Sequence, residues 1–103
     1  MKHITTKAEF EALIKENNNV VIDFYAQWCG PCKMLAPIFE SISESVTHVT
    51  FVKVDVDEAG ELAQLFGIQS IPTVVYIKDQ QLVLRELGFK PMDAILTNIK
   101  NIF

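Results

Sequence analysis

The chain has 103 residues, a length that accommodates one domain built around one hydrophobic core. Half of the residues are hydrophobic and 21% are charged, a balance typical of globular proteins and not of disordered ones. The formal net charge is -4, and the 9 Lys and Arg residues are scattered singly. This pattern argues against nucleic acid as the main partner and against an electrostatic membrane anchor.

Neither a targeting signal nor a membrane span is visible in the sequence. The first residues, Met1 to Lys7, contain no apolar run of the signal-peptide kind, and the longest aliphatic or aromatic run is Val74–Ile77. The 2 cysteines are too few for a disulfide-stapled secreted scaffold. We therefore expect a cytoplasmic protein, although a targeting peptide that had been removed would leave no trace.

In the first half of the chain, two helices are predicted on either side of a strand. Thr6 and Glu9 fit a capping box that opens the first helix, and a short strand near residues 3–5 can precede it. The β-branched and aromatic run Val20–Tyr25 predicts a strand buried on both faces. A second helix is predicted from the segment 29–32 to about Ser45, with a kink at Pro37. The apolar positions that recur at helical spacing are Phe10, Leu13, Ile14, Leu35, Ile38, Phe39 and Ile42.

The second half of the chain adds three strands and two helices to the prediction. The strands span residues 49–56, 73–78 and 82–87, and the last two are close enough to form a hairpin. A helix over residues 58–66 ends at Gly67, and Pro91 opens the last helix. The residues expected to face the core are Leu62, Leu65, Phe66, Ile95, Leu96, Ile99 and Ile102.

This order of elements predicts an α/β fold with a mixed central sheet of four to five strands and four helices on its two faces. Strands separated by helices are expected to be parallel neighbours or nearly so, whereas the last pair is antiparallel. A reaction site is expected at the carboxyl ends of the parallel strands, and the segment Ala26–Lys33 follows one such end. Since no linker or internal repeat is visible, we expect a single domain over residues 1–103.

Both cysteines of the chain, Cys29 and Cys32, lie in this segment at the start of a predicted helix. Their C-x-x-C spacing lets them close a small disulfide ring with little backbone movement. Unpaired N–H groups and the dipole at a helix N-terminus favour an anion, so we expect a depressed pKa for the Cys29 thiol. The thiolate is the attacking species in disulfide exchange, which makes Cys29 the predicted nucleophile. Cys32, one turn further in and less exposed, is placed to resolve the mixed disulfide.

Two simpler explanations of the cysteine pair fit the sequence less well. A zinc site needs four ligands, and only His3 and His48 could join the cysteines, neither at finger-like spacing. A purely structural disulfide would close too short a loop to stabilise the fold much. A C-x-x-C motif beside a βαβ pattern is instead typical of redox proteins.

The segment Trp28-Cys29-Gly30-Pro31-Cys32-Lys33 resembles the active-site motif of the thioredoxin family in full. The resemblance covers nearly the whole chain and implies the thioredoxin fold. It also implies a protein dithiol–disulfide oxidoreductase that reduces disulfides in target proteins and is re-reduced by an NADPH-dependent thioredoxin reductase. No Gly-rich nucleotide motif is present, so we expect no bound cofactor and NADPH on the reductase only. The other matching segments are Val21–Ala26, Pro37, Lys53–Asp57, Ser70–Thr73 and Gly88-Phe89.

Asp23 interrupts the apolar run of the predicted central strand. From the residues alone it is either a solvent-facing position at a sheet edge or a buried carboxyl whose pKa is raised by desolvation. The resemblance supports the buried carboxyl and implies that Asp23 serves Cys32 as proton acceptor through water, with Lys53 as its charged neighbour. Taken alone, Lys53 is typical of a solvated strand residue.

The Ile71-Pro72 bond precedes a predicted strand, where a trans proline is the ordinary expectation. Thioredoxins place a cis proline at the matching position opposite the dithiol, so the resemblance reverses that expectation. It implies a substrate-docking surface, although burial in the core is an open alternative for Ile71 and Phe89. The hairpin segment Lys78–Gln81 departs from the family pattern in lacking Gly, which puts a tight two-residue turn in doubt. The predicted docking residues are Trp28, Gly30, Pro31, Ile71, Pro72, Gly88 and Phe89.

Two other functions stay open at this point. A disulfide oxidase or isomerase of the same fold is disfavoured by Gly30-Pro31, because oxidising relatives usually carry a His between the cysteines. A binding module that uses this surface as a scaffold, with incidental redox chemistry, would keep its role in a Cys29→Ser, Cys32→Ser double variant. The expected partners are the reductase and disulfide-containing proteins, with no nucleic acid and no membrane, and the expected state is a monomer.

Overall fold

The computed structural model describes all 103 residues and forms a five-stranded sheet with helices on both faces. The predicted α/β fold is thereby confirmed, with most boundaries within two residues of expectation. No helix combines the length and the apolar character that crossing a membrane requires. The strands are β1 (Lys2–His3), β2 (Asn19–Tyr25), β3 (Thr50–Asp55), β4 (Thr73–Lys78) and β5 (Gln81–Leu87), and the helices are α1 (Lys7–Glu16), α2 (Gly30–Ser45), α3 (Gly60–Leu65) and α4 (Met92–Ile102).

The strand order is β1-β3-β2-β4-β5, with β1, β3 and β2 mutually parallel and β4 antiparallel to both of its neighbours. The expectation of parallel strands on either side of a helix is therefore wrong for β4. Helix α3 has only 6 residues and so spans about 9 Å, whereas β3 climbs about 20 Å. Helix α3 is thus too short to carry the chain back to the edge where β2 and β3 begin. Strand β4 therefore starts at the edge where β2 ends, with Thr73 opposite Phe24, and runs antiparallel to it.

Alternation along β2 divides the core into two layers. Ile22 and Phe24 point to the face covered by α1 and α3, and Val21 points to the face covered by α2 and α4, here called the α2/α4 face. Asp23 alternates with Ile22 and Phe24 and lies opposite Val74, so it shares the α2/α4 face with Val21. The central strand thus carries a carboxyl into a packed layer.

In the second half of the chain, the structure corrects two expectations about individual residues. Leu65 is 50% exposed and does not face the core, because α3 ends there and Phe66 fills the inner position instead. The turn between β4 and β5 has two residues although it lacks Gly: Lys78 pairs with Gln81, and Asp79 and Gln80 have φ values of 50° and 67°. The doubt about a tight turn was therefore wrong.

The capping box predicted for α1 is present. The Thr6 hydroxyl accepts a 3.1 Å hydrogen bond from the Glu9 backbone N–H, and the Glu9 carboxylate accepts one of 3.1 Å from the Thr6 N–H. At the other end of the chain, Pro91 occupies the N-cap of α4 and does not form its first turn. Its missing N–H removes one of the donors that a helix start leaves without an intrahelical partner.

Candidate active site at the start of the second helix

Cys29 and Cys32 form a disulfide in the first turn of α2, at the carboxyl end of β2. Their Cα atoms lie 5.2 Å apart, within the ordinary range for a disulfide. Cys29 is the N-cap, and its Sγ accepts a 3.2 Å hydrogen bond from the backbone N–H of Cys32. Pro31 lies in the first turn, where its missing N–H costs no helical hydrogen bond. The local sequence therefore points an orphan donor at the Cys29 sulfur, which favours a negative charge there.

Exposure does not separate the two cysteines in this disulfide form. Cys29 is 5% exposed and Cys32 is 3% exposed, so the expected exposed position of Cys29 is not observed. The pair packs in a small cluster with Ala26 and against Ile71. What distinguishes the two sulfurs is the hydrogen bond from the helix terminus, which only Cys29 accepts.

Trp28 lies beside the dithiol with 71% of its surface exposed. Its indole Nε1 donates a 2.8 Å hydrogen bond to Asp57 Oδ2. Asp57 is in turn held by Asp55, whose Oδ1 accepts the Asp57 backbone N–H at 2.9 Å. Sequence reasoning assigned no role to these two carboxylates. The available signal was that Asp55 ends β3, at the same edge of the sheet where β2 ends.

The Ile71-Pro72 bond is cis, as the resemblance implied and contrary to the expectation from the residues alone. The Ile71 carbonyl oxygen lies 3.9 Å from Cys29 Sγ. Gly88, at φ 85°, donates a 2.8 Å backbone hydrogen bond to the Pro72 carbonyl. The loop before β4 and the end of β5 therefore meet beside the dithiol.

The other predicted docking residues fall into two groups. Trp28, Gly30 and Pro31 are exposed around the disulfide. Phe89 is half-buried and packs against the core layer beneath α2 and α4. This position fits the alternative that Phe89 packs in the core better than it fits a place on the exposed docking surface.

Asp23 is fully buried, and neither of its carboxylate oxygens has a hydrogen-bond partner. The solvent-facing alternative is therefore excluded. Burial raises the pKa of Asp23 to about 6, against a smaller opposing effect of the Lys53 charge. A groove of about 410 Å³ reaches this region, and its walls include Tyr25, Cys32 and Lys53.

Lys53 lies directly opposite Asp23 on β3. Its ammonium nitrogen is 4.2 Å from the centroid of the Tyr25 ring, and it forms no ion pair with Asp23 within 4.0 Å. No group of three or more His, Cys, Asp and Glu side chains is placed to hold a metal ion. The chemistry that this site offers is thiol–disulfide exchange, and the same sheet carries a buried carboxyl opposite Lys53.

Comparisons with known proteins agree with this site. A sequence model of the family described as thioredoxin matches residues 1–101. Thioredoxin of Mycoplasmoides gallisepticum is 48% identical over 100 residues, which cover 97% of this chain and all of that protein. The solved Plasmodium falciparum thioredoxin superposes with a TM-score of 0.93 at 39% identity and full coverage of both chains. Oxidised mitochondrial thioredoxin 3 of Saccharomyces cerevisiae gives 0.93 at 41% identity, covering 99% of this chain and 95% of its own. The chain therefore belongs to the thioredoxin family, and it is a protein thiol–disulfide oxidoreductase whose redox pair is Cys29 and Cys32.

Proposed function

We propose that Cys29 is the nucleophile and Cys32 the resolving thiol in the reduction of disulfides in other proteins. The Cys29 thiolate attacks one sulfur of the substrate disulfide, and the other sulfur leaves as a thiolate that takes up a proton. Cys32 then loses its proton and attacks Cys29 Sγ, which releases the second substrate thiol. The substrate gains two electrons and two protons, and the Cys29–Cys32 disulfide forms. The hydrogen bond from the Cys32 N–H to Cys29 Sγ is the observation that carries this assignment.

Asp23 is the proposed acceptor for the proton that Cys32 loses, through water. Its full burial and its raised pKa of about 6 support this role, because such a carboxylate binds a proton near neutral pH. Lys53 is its proposed charged partner. Asp23→Asn should slow resolution of the mixed disulfide more than its formation, since only the second step needs a proton acceptor beside Cys32.

The proposed docking surface for an extended substrate segment surrounds the disulfide. The exposed indole of Trp28 and the Ile71 carbonyl beside Cys29 Sγ support it. An exposed apolar surface of this kind is costly unless a partner covers it. Its further proposed members are Gly30 and Pro31, which are exposed, Gly88 and Phe89, which are half-buried, and Pro72, which is buried.

The partners implied by the family are disulfide-containing substrates and a reductase. We specify the latter as an NADPH-dependent thioredoxin reductase acting on a cytoplasmic monomer with a single domain over residues 1–103. Nucleic acid and membranes are not among the proposed partners, given the net charge of -4 and the scattered basic residues.

Reduction of insulin in the presence of NADPH and thioredoxin reductase tests the proposal. Wild-type protein should catalyse it, Cys29→Ser should not, and Cys32→Ser should accumulate a mixed disulfide with the substrate. Accumulation by Cys29→Ser would reverse the two roles. Full biological activity of the Cys29→Ser, Cys32→Ser double variant would instead favour the scaffold function.

A further inference from the structure

Tyr25 and Lys53 form a contact that the proposed mechanism does not use. The Lys53 ammonium lies 4.2 Å from the Tyr25 ring centroid, well inside the range of a cation–π interaction. Tyr25 is the last residue of β2 and is half-buried, with His3 packed edge-on against its ring at 6.4 Å. The ring therefore extends from β2 over β3 toward β1, and it contacts an ammonium group of a half-buried lysine.

Asp23 is a second potential electrostatic partner of Lys53, but the two side chains form no ion pair. Asp23 is the register neighbour of Lys53, and adjacent strands lie about 4.8 Å apart, so a lysine side chain is long enough to reach the carboxylate. No ion pair between them forms within 4.0 Å, and both Asp23 oxygens lack partners. The ammonium lies instead over the aromatic ring, two residues further along the α2/α4 face.

We propose that Tyr25 is a positioning residue that holds the Lys53 ammonium away from the Asp23 carboxylate by a cation–π contact and so preserves Asp23 as a proton acceptor. This inference rests on the proposed role of Asp23. A direct ion pair would stabilise the charged carboxylate and weaken it as a base. At the distance set by the ring, the Lys53 charge lowers the pKa of Asp23 by less than burial raises it.

The other charged or titratable groups around Asp23 are arranged so that Lys53 is its principal electrostatic partner. Cys32 shares a groove wall with Lys53, in a disulfide here and as a thiol when reduced. The pKa of Tyr25 is raised by burial and by Asp55, Glu58 and Asp23, so its hydroxyl stays neutral near pH 7. The groups further out are His3 next to Lys53 on β1, Lys33 on the groove wall, and Glu86 beyond Val74, where it accepts a hydrogen bond from Asn98.

The pKa of the Asp23 carboxyl in the oxidised protein, followed by carbon-13 NMR, tests the inference without interference from thiols. Tyr25→Leu removes the ring and keeps apolar bulk, whereas Tyr25→Phe keeps the ring and removes only the hydroxyl. We expect Tyr25→Leu to lower the Asp23 titration midpoint by about one pH unit, the low end of the effect of an opposite charge at 4–6 Å. Tyr25→Phe should leave it unchanged. In a Lys53→Met background the effect of Tyr25→Leu should vanish.

An unchanged or raised midpoint in Tyr25→Leu, or the same fall in the Lys53→Met background, would overturn the inference. If Tyr25→Leu does not fold, the wild-type protein still tests the contact on which the inference depends. The ε-methylene protons of Lys53 should show an upfield ring-current shift that Lys15, exposed on α1, lacks. Absence of that shift would refute the contact.

A kinetic measurement separates this inference from the role of Asp23. In reduced protein, Tyr25→Leu should shift the pH profile of mixed-disulfide resolution downward by the same amount as the Asp23 midpoint. A shifted midpoint with an unshifted rate profile would contradict the proton-acceptor role of Asp23 and the catalytic part of the inference, while the Tyr25–Lys53 contact would stand.

Discussion

The indole Nε1 of Trp28 donates a 2.8 Å hydrogen bond to Oδ2 of Asp57, so the residue that precedes the dithiol is tied to the loop after β3. Trp28 is 71% exposed, and its ring therefore has little packing to fix its orientation. Asp57 is itself anchored, because its backbone N–H is bound by the buried Asp55. This chain of two hydrogen bonds orients an exposed ring next to Cys29.

Asp57→Ala should therefore weaken docking of protein substrates without altering the dithiol. A net hydrogen bond contributes about 0.5–1.5 kcal/mol, which corresponds to a rise in KM of about two- to tenfold for a protein disulfide. Reduction of a small disulfide, which needs no docking surface, should keep its rate constant. The matched control is Asp79→Ala, in the distant β4–β5 turn. Equal KM values for Asp57→Ala and the wild type would show that the indole needs no such anchor.

Alkylation of the reduced protein should distinguish the two thiols. The N-cap sulfur of Cys29 accepts a backbone hydrogen bond that Cys32 does not receive, so Cys29 should hold the larger thiolate fraction near neutral pH. One equivalent of iodoacetamide followed by peptide mapping should give a preference of about tenfold for Cys29, which one pKa unit between the thiols produces. Labelling mainly at Cys32 would contradict the proposed order of attack.

The sequence predicts the features that depend on local pattern. The C-x-x-C pair at a helix start and the Thr6–Glu9 capping box each follow from a few neighbouring residues, whereas the burial of Asp23 is supported only through the family resemblance. The direction of β4 does not follow from local pattern, because it depends on how far α3 carries the chain back across the sheet. The contacts of Trp28 with Asp57 and of Tyr25 with Lys53 join residues 29 and 28 positions apart, and only the assembled sheet brings them together.

The turn between β4 and β5 offers a test of backbone strain. Gln80 adopts φ 67°, in the left-handed region where a side chain costs about 1–2 kcal/mol relative to glycine. Gln80→Gly should relieve this cost, and greater chain entropy in the unfolded state offsets part of the gain. We expect the free energy of unfolding to rise by about 0.5 kcal/mol in urea titration. Gln81→Gly, in regular β5 backbone, should lower it, and a fall for Gln80→Gly as well would show that the turn is unstrained.

Asp23→Asn should change the pH dependence of stability in a defined window. The carboxyl has a pKa of about 6 in the folded protein and an ordinary value of 3.8 in the unfolded chain, so between these values only the folded protein keeps the proton. The free energy of unfolding therefore falls as pH rises through this window and levels off above about pH 6, with a total loss of about 3 kcal/mol at pH 7.

An asparagine at position 23 cannot ionise, so the Asp23→Asn variant should not lose this stability. The variant-minus-wild-type difference in unfolding free energy, measured in oxidised protein, should grow by about 2 kcal/mol from pH 4 to pH 7, because the unfolded carboxyl is already partly ionised at pH 4. The exposed Asp79→Asn variant controls for the lost charge, and its difference should stay flat. A flat difference for Asp23→Asn would mean that Asp23 ionises in the folded protein as it does in the unfolded chain. Asp23 would then lack the raised pKa on which its proposed role as proton acceptor depends.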